Sequence, residues 1–440
     1  MSRRKPIPRE PVELRVESLS HDGRGVGRYD GKTVFVPGAL PGETVLAAIR
    51  RRHRRFDVAQ LQQLITTSPD RVVPKCAHFD QCGGCSLQQQ VSSAQLRDKQ
   101  QLLAETLRRV GHVQPNSWLE PLQADIWAYR GKARLGVRYV AKKGRVLVGF
   151  RERGSSFITD TERCEILVPE IGGRLRLIAD TLMALTIKDA IPQIEVAAGD
   201  NALCLVFRVL QEPDEADRTL LGELAGILGC DIFLQPGGPD SVTLLAGRGE
   251  TLYYDLPDWS LRFHFQPQDF TQVNSSLNRK MVQQALCLLD PDRSETVLDL
   301  FCGLGNFSLP LATLAGRVVG VEGDTEMTVR AAGNARLNHL DNTEFHAADL
   351  FQPPQNEYWR SVDIDKVLLD PPRAGAEEVA HWLVQKRPVK IVYVSCNPAT
   401  LARDAGILVN SGYFQLEQAG IMDMFPHTAH TEAMAVFARA

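Results

Sequence analysis

The chain has 440 residues, room for about three domains at ~150 residues each, and its 44% hydrophobic and 23% charged content is that of an ordinary globular protein. No run of ~18 uninterrupted apolar residues occurs, and the start, Met1-Ser2-Arg3-Arg4-Lys5-Pro6, lacks the apolar stretch of an export signal, so a cytoplasmic protein with no membrane association is expected. The net charge of −3 hides an asymmetry: residues 1–75 hold 15 Lys and Arg against 8 Asp and Glu, net +7, and the remainder carries −10, as expected of an N-terminal part that meets a polyanion.

Residues 1–68 read as a small β-barrel behind a basic N-terminal arm. Alternating stretches such as Val12-Glu13-Leu14-Arg15-Val16 and Thr33-Val34-Phe35-Val36 are separated by turns that include Asp22-Gly23 and Asp30-Gly31. The run Arg50-Arg51-Arg52-His53-Arg54-Arg55-Phe56 precedes a strand over 57–64. Arginines beside an aromatic ring can contact phosphates and stack on bases, although arginines also protect an edge strand from aggregation.

Ser68-Pro69 closes this module, and a cysteine-rich loop follows. Cys76-x5-Cys82-Gly83-Gly84-Cys85 is a tight three-thiol loop with a possible fourth partner in Cys164. Thiolates so spaced can hold a [4Fe–4S] cluster, and zinc is the alternative. Four protein ligands would leave no open iron site, which favours a structural role. Cys204, Cys230, Cys287 and Cys302 sit singly among apolar residues and read as core.

An amphipathic helix is expected over 91–110, stopped by Gly111 and docked on the C-terminal domain. Residues 69–90 and 120–262 then form a β-rich central domain with one helix at 171–185. Its Tyr129-Arg130-Gly131-Lys132-Ala133-Arg134 stretch either faces nucleic acid or is a solvated strand face.

From Gln272 onward, regular strand–helix alternation predicts a doubly wound, mostly parallel α/β sheet built from residues 91–119 and 263–440. Strands are expected at 296–301, 317–322, 343–347, 366–370 and 390–395, with a closing pair at 414–422 and 433–438. Asp299 to Ser308 is a strand, a Gly303-Leu304-Gly305 turn and a helix start. Because the third glycine of the dinucleotide fingerprint is missing, and Glu322 and Asp349 follow the next two strands, S-adenosylmethionine is the expected ligand. Two further strands deliver Asp370 and Cys396 to the same sheet edge, where ligands of such folds bind.

With Ser68-Pro69-Asp70-Arg71 through Cys85, Phe270-Thr271-Gln272-Val273-Asn274, Asp370-Pro371-Pro372-Arg373, Ser395-Cys396-Asn397-Pro398 and Pro426-His427-Thr428-Ala429-His430-Thr431-Glu432, the chain resembles the RNA 5-methyluridine methyltransferases along nearly its whole length. It is most similar to members acting on bacterial 23S rRNA, which combine a TRAM barrel with the cysteine loop. The resemblance implies a Rossmann-like methyltransferase fold. It also implies a cofactor pocket of Gln272, Phe301, Asn306, Glu322, Asp349 and Asp370, and a [4Fe–4S] cluster on Cys76, Cys82, Cys85 and Cys164. The nucleophile would be Cys396, adding to uracil C6, and the base that removes the C5 proton would be Glu432. The substrate would be a single-stranded or flipped-out uridine of 23S rRNA, with no obligate protein partner evident. An adenine amino-methyltransferase would place an aromatic where Arg373 stands, and a cytosine-C5 enzyme typically has a Pro-Cys nucleophile. A non-catalytic RNA-binding protein would not need the cysteine and the cofactor turn together.

Overall fold

The computed structural model describes residues 7–352 and 358–440; Arg3, Arg4 and Lys5 of the expected basic arm lie outside them. Strands β1 (Val12–Leu19), β2 (Gly25–Tyr29), β3 (Lys32–Val36), β4 (Thr44–Arg52) and β5 (Phe56–Thr66) close into a barrel in the order β1-β2-β3-β5-β4. Period-two alternation drives closure: Val12, Leu14 and Val16 of β1 point inward while Glu13, Arg15 and Glu17 are exposed. Asp30 and Gly31, both at positive φ (55° and 75°), make the β2–β3 hairpin turn.

The barrel is fixed to the next segment by a buried ion pair. Glu43, fully buried, accepts from Arg71 Nε at 2.5 Å and Nη2 at 2.8 Å, and from the Leu40 amide at 2.7 Å. Arg71 also donates to the Gly38 carbonyl. After the cysteine loop, α1 (Ser92–Thr106) continues through a π-helical turn over Leu107–Gly111, and β6 (Ser117–Trp118) follows. Gly111 is not the stop that the sequence predicts. It lies inside the last turn, where a Cβ would fall 2.3 Å from the Ala402 carbonyl oxygen, and His112, at φ 54°, ends the helix.

The central domain is a mixed six-stranded sheet in the order β12-β11-β10-β9-β7-β8. It comprises β7 (Lys132–Val140), β8 (Arg145–Gly149), β9 (Gln193–Ala198), β10 (Leu203–Arg208), β11 (Asp231–Gln235) and β12 (Thr243–Ala246). The single helix expected at 171–185 is broken into α2 (Pro169–Gly172) and α3 (Leu175–Ala184). A further helix, α4 (Glu215–Leu228), escaped the sequence reading although its ends are signalled: Asp214 caps it by accepting from the Asp217 amide, and Gly229 closes it at φ 65°. A hairpin of β13 (Leu252–Leu256) and β14 (Leu261–Phe265) leads to the last domain.

There α5 (Ser275–Leu289), β15 (Thr296–Leu300), α6 (Ser308–Ala312), β16 (Arg317–Glu322), α7 (Thr325–Leu337), β17 (Thr343–Ala347), β18 (Lys366–Leu369), α8 (Glu377–Lys386), β19 (Lys390–Ser395), α9 (Pro398–Asn410), β20 (Phe414–Met422) and β21 (Glu432–Arg439) build one sheet, ordered β17-β16-β15-β18-β19-β21-β20-β6. Strands β15 to β19 are parallel, and β21 is antiparallel to both β19 and β20. Both faces are covered: Leu298, Leu300, Val319 and Ile391 pack in one core, Val297, Val318, Leu368 and Val392 in another. Helix α1 lies on this domain, against β20 and α9. Cys287, expected in the core, is exposed; on α5 the buried face carries Met281, Val282, Ala285, Leu286 and Leu289, and Cys287 falls outside that stripe.

Candidate active site

The carboxyl ends of the parallel strands carry the predicted residues in spatial order. Asp349 lies just past β17, Glu322 ends β16, Phe301 follows β15, Asp370 follows β18 and Cys396 follows β19. The chain reverses its direction of winding between β15 and β18, the position at which open α/β sheets take their ligands.

The β15 turn is strained in the way close-approach turns are. Phe301 sits at φ 63°, Gly303 at 55° and Gly305 at 95°; a Cβ on Gly305 would meet Leu309 Cδ1 at 2.5 Å, whereas the space above Gly303 is open to 3.9 Å. Glu322 clamps this turn, accepting from the Gly303 amide at 3.0 Å and from Gly323 at 2.7 Å. Asn306 is held in a reciprocal amide pair with Asn278, 2.9 Å each way, and accepts from Tyr254 Oη at 2.9 Å, so its side chain fastens the turn to α5 and β13. Gln272 is half-buried just before α5, and Asp349 is exposed and accepts from the Phe351 amide. Asp299, not singled out as a ligand from sequence, is fully buried; Ser308 Oγ donates to one of its oxygens and the other has no partner among the described residues. Burial, with Asp370 and Glu322 nearby, pushes its carboxyl up to about 8. Burial likewise pushes Asp370 up to about 7.

The other half of the edge is set by one ladder. Ser395 of β19 pairs with Ala433 of β21, so the next residues, Cys396 and Glu432, stand opposite each other at the top of the sheet. Burial raises the Cys396 thiol to about 11, and Glu432 and Asp370 add to the effect while Arg373 opposes it. Glu432, 6% exposed, is pushed up to about 8 by burial and by Asp370, against the pull of Lys99 and Arg373. The loop bearing Cys396 is tied to the loop bearing Asp370: Asn397 caps α9 and donates to the Arg373 carbonyl at 2.9 Å. Asp404, fully buried, holds the Ala376 amide and Tyr393 Oη, each at 2.7 Å. Asn397 and Asp404 carry no sequence signal beyond a helix cap and an ordinary helical acid.

The two histidines beside Glu432 separate cleanly. His427 stacks on Trp127 at 3.8 Å, burial lowers it to about 4, and its Nδ1 lies 3.2 Å from Gln95 Nε2. It is a neutral packing residue. His430 Nδ1 lies 2.6 Å from Arg373 Nη2, so it must accept there, with its proton on Nε2.

Cys76, Cys82, Cys85 and Cys164 line one small cavity with Phe79, Phe150 and Ile166, and all nine cysteines are free thiols. Burial raises Cys85 to about 12 and Cys164 to about 11. Among the described residues, no three His, Cys, Asp or Glu side chains converge as ligands of a single metal ion. Arg153 secures the loop, donating to the carbonyls of Cys82 and Cys85 at 3.1 and 2.8 Å.

A cavity of about 1630 Å³ lies away from Cys396, between the barrel turns and the central sheet. Exposed Arg138, Lys142, Lys143 and Arg151 line it beside Phe157, which is 71% exposed. The stretch 129–134 contributes less to such a surface than the sequence allows. Tyr129 is buried with its hydroxyl on the Pro426 carbonyl, Lys132 reaches the Pro267 carbonyl, and only Arg134 is exposed, paired with Glu195. In the barrel, Arg52 and Lys32 close on buried Asp57, leaving Arg51, Arg54 and Arg55 exposed at the β4–β5 turn. Among the described residues no helix is long and apolar enough to cross a membrane.

Residues 251–440 match the family model for tRNA (uracil-5-)-methyltransferase, and residues 8–60 match the TRAM domain. The 23S rRNA (uracil(1939)-C(5))-methyltransferase RlmD of Methylococcus capsulatus is 48% identical over 438 residues, 99% of both chains. The protein of the same name from Hahella chejuensis is 50% identical over 445 residues, covering 100% of this chain and 99% of its own. Among solved structures, the tRNA (uracil-54, C5)-methyltransferase of Pyrococcus abyssi, determined with S-adenosyl-L-homocysteine, superposes with a TM-score of 0.73 at 24% identity. That match spans 97% of this chain and 100% of the archaeal one, and it supports the fold.

Proposed function

The chain belongs to the RNA (uracil-C5)-methyltransferase family, and from that premise we propose that it methylates C5 of a uridine in 23S rRNA through a covalent Cys396 adduct resolved by Glu432. One observation carries the mechanism: a thiol and a buried carboxylate are opposed across β19 and β21 beside an acid-lined glycine turn.

The turn suits S-adenosylmethionine. Gly303 leaves open space, Asp299 has an unpartnered buried oxygen, and the acids at the ends of β16 and β18 can accept from ribose hydroxyls and amines. Gln272, Phe301, Glu322, Asp349 and Asp370 would line its site, with Asn306 bracing the turn from behind. Bound there, the cofactor supplies an electrophilic methyl group.

Uracil C5 is a poor nucleophile, and this chain's residues remedy that. The Cys396 thiolate adds to C6, converting the C5=C6 bond and the C4 carbonyl into an enolate with electron density on C5. Once C5 carries the methyl group, Glu432 takes the C5 proton and the C6–S bond breaks, regenerating the thiolate and the double bond. Both reacting carbons lie inside a base stack in duplex RNA, so the uridine would be flipped out or single-stranded. The cationic groove and the barrel's exposed arginines would hold flanking RNA by its phosphates. A cytoplasmic location accords with that substrate.

Four cysteines, Cys76, Cys82, Cys85 and Cys164, around one cavity support a [4Fe–4S] cluster held by thiolates, with zinc as the alternative occupant. Anaerobic iron and sulfide analysis with a visible spectrum tests this; stoichiometric zinc without a chromophore would end it.

The activity itself is tested by methyl transfer from tritiated S-adenosylmethionine to 23S rRNA, with mapping of the 5-methyluridine formed. Cys396→Ala is expected to abolish both transfer and trapping on 5-fluorouracil-containing RNA. Turnover by that variant within tenfold of the parent would remove Cys396 from the mechanism.

A further inference from the structure

Lys99 of α1 is 3% exposed and its ammonium donates to Asp423 Oδ1 at 2.6 Å and to the Phe425 carbonyl at 3.2 Å. Asp423 is itself 1% exposed, and its second carboxylate oxygen has no partner among the described residues. It immediately follows Met422, the residue that pairs with Glu432 in the β20–β21 ladder. A buried ion pair is an expensive way to close a strand, and this one stands at the shoulder of the candidate base. The same loop is strapped elsewhere: Ser86 and Leu87 both donate to the His427 carbonyl at 2.9 Å, and Gln95 accepts from the His427 amide.

We propose that Lys99 is a positioning residue for the base: anchored by Asp423, it fixes the loop from which Glu432 enters the site and supplies the cation against which Glu432 ionises. The proposal rests on Glu432 being the base. The other charged or titratable groups around Glu432 are Cys396 from the end of β19, Asp370 and Arg373 from the β18 loop, and His430 from its own loop, with Asp423 bound to Lys99. Lys99 and Arg373 are the cations that favour its charged form.

The test uses the full chain in single-turnover reactions with an RNA substrate, following decay of the covalent protein–RNA adduct against pH. Removing the cation with Lys99→Met should move the pH midpoint of adduct decay upward, by about one unit, and slow decay roughly tenfold near neutrality. Asp423→Asn keeps the packing but unmasks the ammonium, and should move the midpoint downward. Loss of a purely structural ion pair would lower melting temperature in both variants without opposite pH shifts, and that result overturns the proposal. If Lys99→Met does not fold, the direction of the Asp423→Asn shift decides: downward supports the role, unchanged or upward defeats it. Glu432→Gln serves as the separate control. If it accumulates no adduct, the base assignment fails; if it does and the two pH shifts are absent, Lys99 alone is wrong.

Discussion

The side-chain amide of Asn397 donates to the carbonyl of Arg373 at 2.9 Å. The loop that presents Cys396 and the loop that presents Asp370 are thereby one unit, built on adjacent strands β19 and β18. Thr400 Oγ1 reaches the same carbonyl at 3.4 Å, and Arg403 the Ala374 carbonyl at 3.0 Å, so the connection runs along the first turns of α9.

Asn397→Ala removes both the α9 cap and this bridge. Removing a cap costs about 1 kcal/mol, which predicts a modest fall in melting temperature. Methylation should fall further than that, by at least about tenfold, because a small displacement of a reacting group is costly. Parallel thermal denaturation and single-turnover rates check it: a rate loss no larger than the drop in folded fraction would show the bridge to be merely structural.

Glu432 makes stability depend on pH with a definite sign. Its folded value is raised, from 4.5 to about 8, so the folded chain holds a proton that the unfolded chain has released across that interval. Stability from this group is therefore greatest below about 4.5 and disappears as pH rises towards 8. Glu432→Gln cannot lose a proton, and its melting temperature relative to the parent should climb between pH 5 and pH 8.5. On RNA the same variant should accumulate the covalent adduct, visible as a slow-migrating band in denaturing gels.

Arg71→Ala leaves the fully buried Glu43 without its cation, held by backbone amides alone. Breaking such a pair from one side costs about 3–5 kcal/mol. The barrel would lose its anchor to the cysteine segment, and weaker RNA binding should accompany the lower stability. Arg71→Met with Glu43→Leu, which removes both charges, should recover most of the stability, as measured by urea denaturation.

Neutralising Arg138, Lys142 and Lys143 together tests the groove. Every RNA phosphate that is no longer neutralised by a side chain should reduce the slope of log affinity against log salt by roughly one. The triple alanine variant should therefore bind RNA more weakly at low salt, with a shallower slope, while melting as the parent does. An unchanged slope would place the RNA elsewhere.

The amino-acid sequence by itself determined the order and kind of the elements. Strand–helix alternation after Gln272, the glycine turn at Gly303 and Gly305 and the cysteine spacing are local patterns, and the strands at 317–322, 343–347, 390–395 and 414–422 lie where those patterns put them. Local signals can also be overlooked, as the capped helix α4 shows, and a single cysteine such as Cys287 carries too little pattern to place it on a helix face. The resemblance implied Glu432 as the acid that works with Cys396; what only the tertiary structure decided is the strand pairing that sets the two side by side. Asp370 and Glu432 both end or begin strands, and periodicity records no pairing between distant segments. The insertion of β21 antiparallel between β19 and β20 sets Glu432 opposite Cys396, and it brings Lys99 and Asp423, remote in sequence, to the same buried corner. Register across a sheet is fixed by which faces must be buried together, and that is a property of the whole fold.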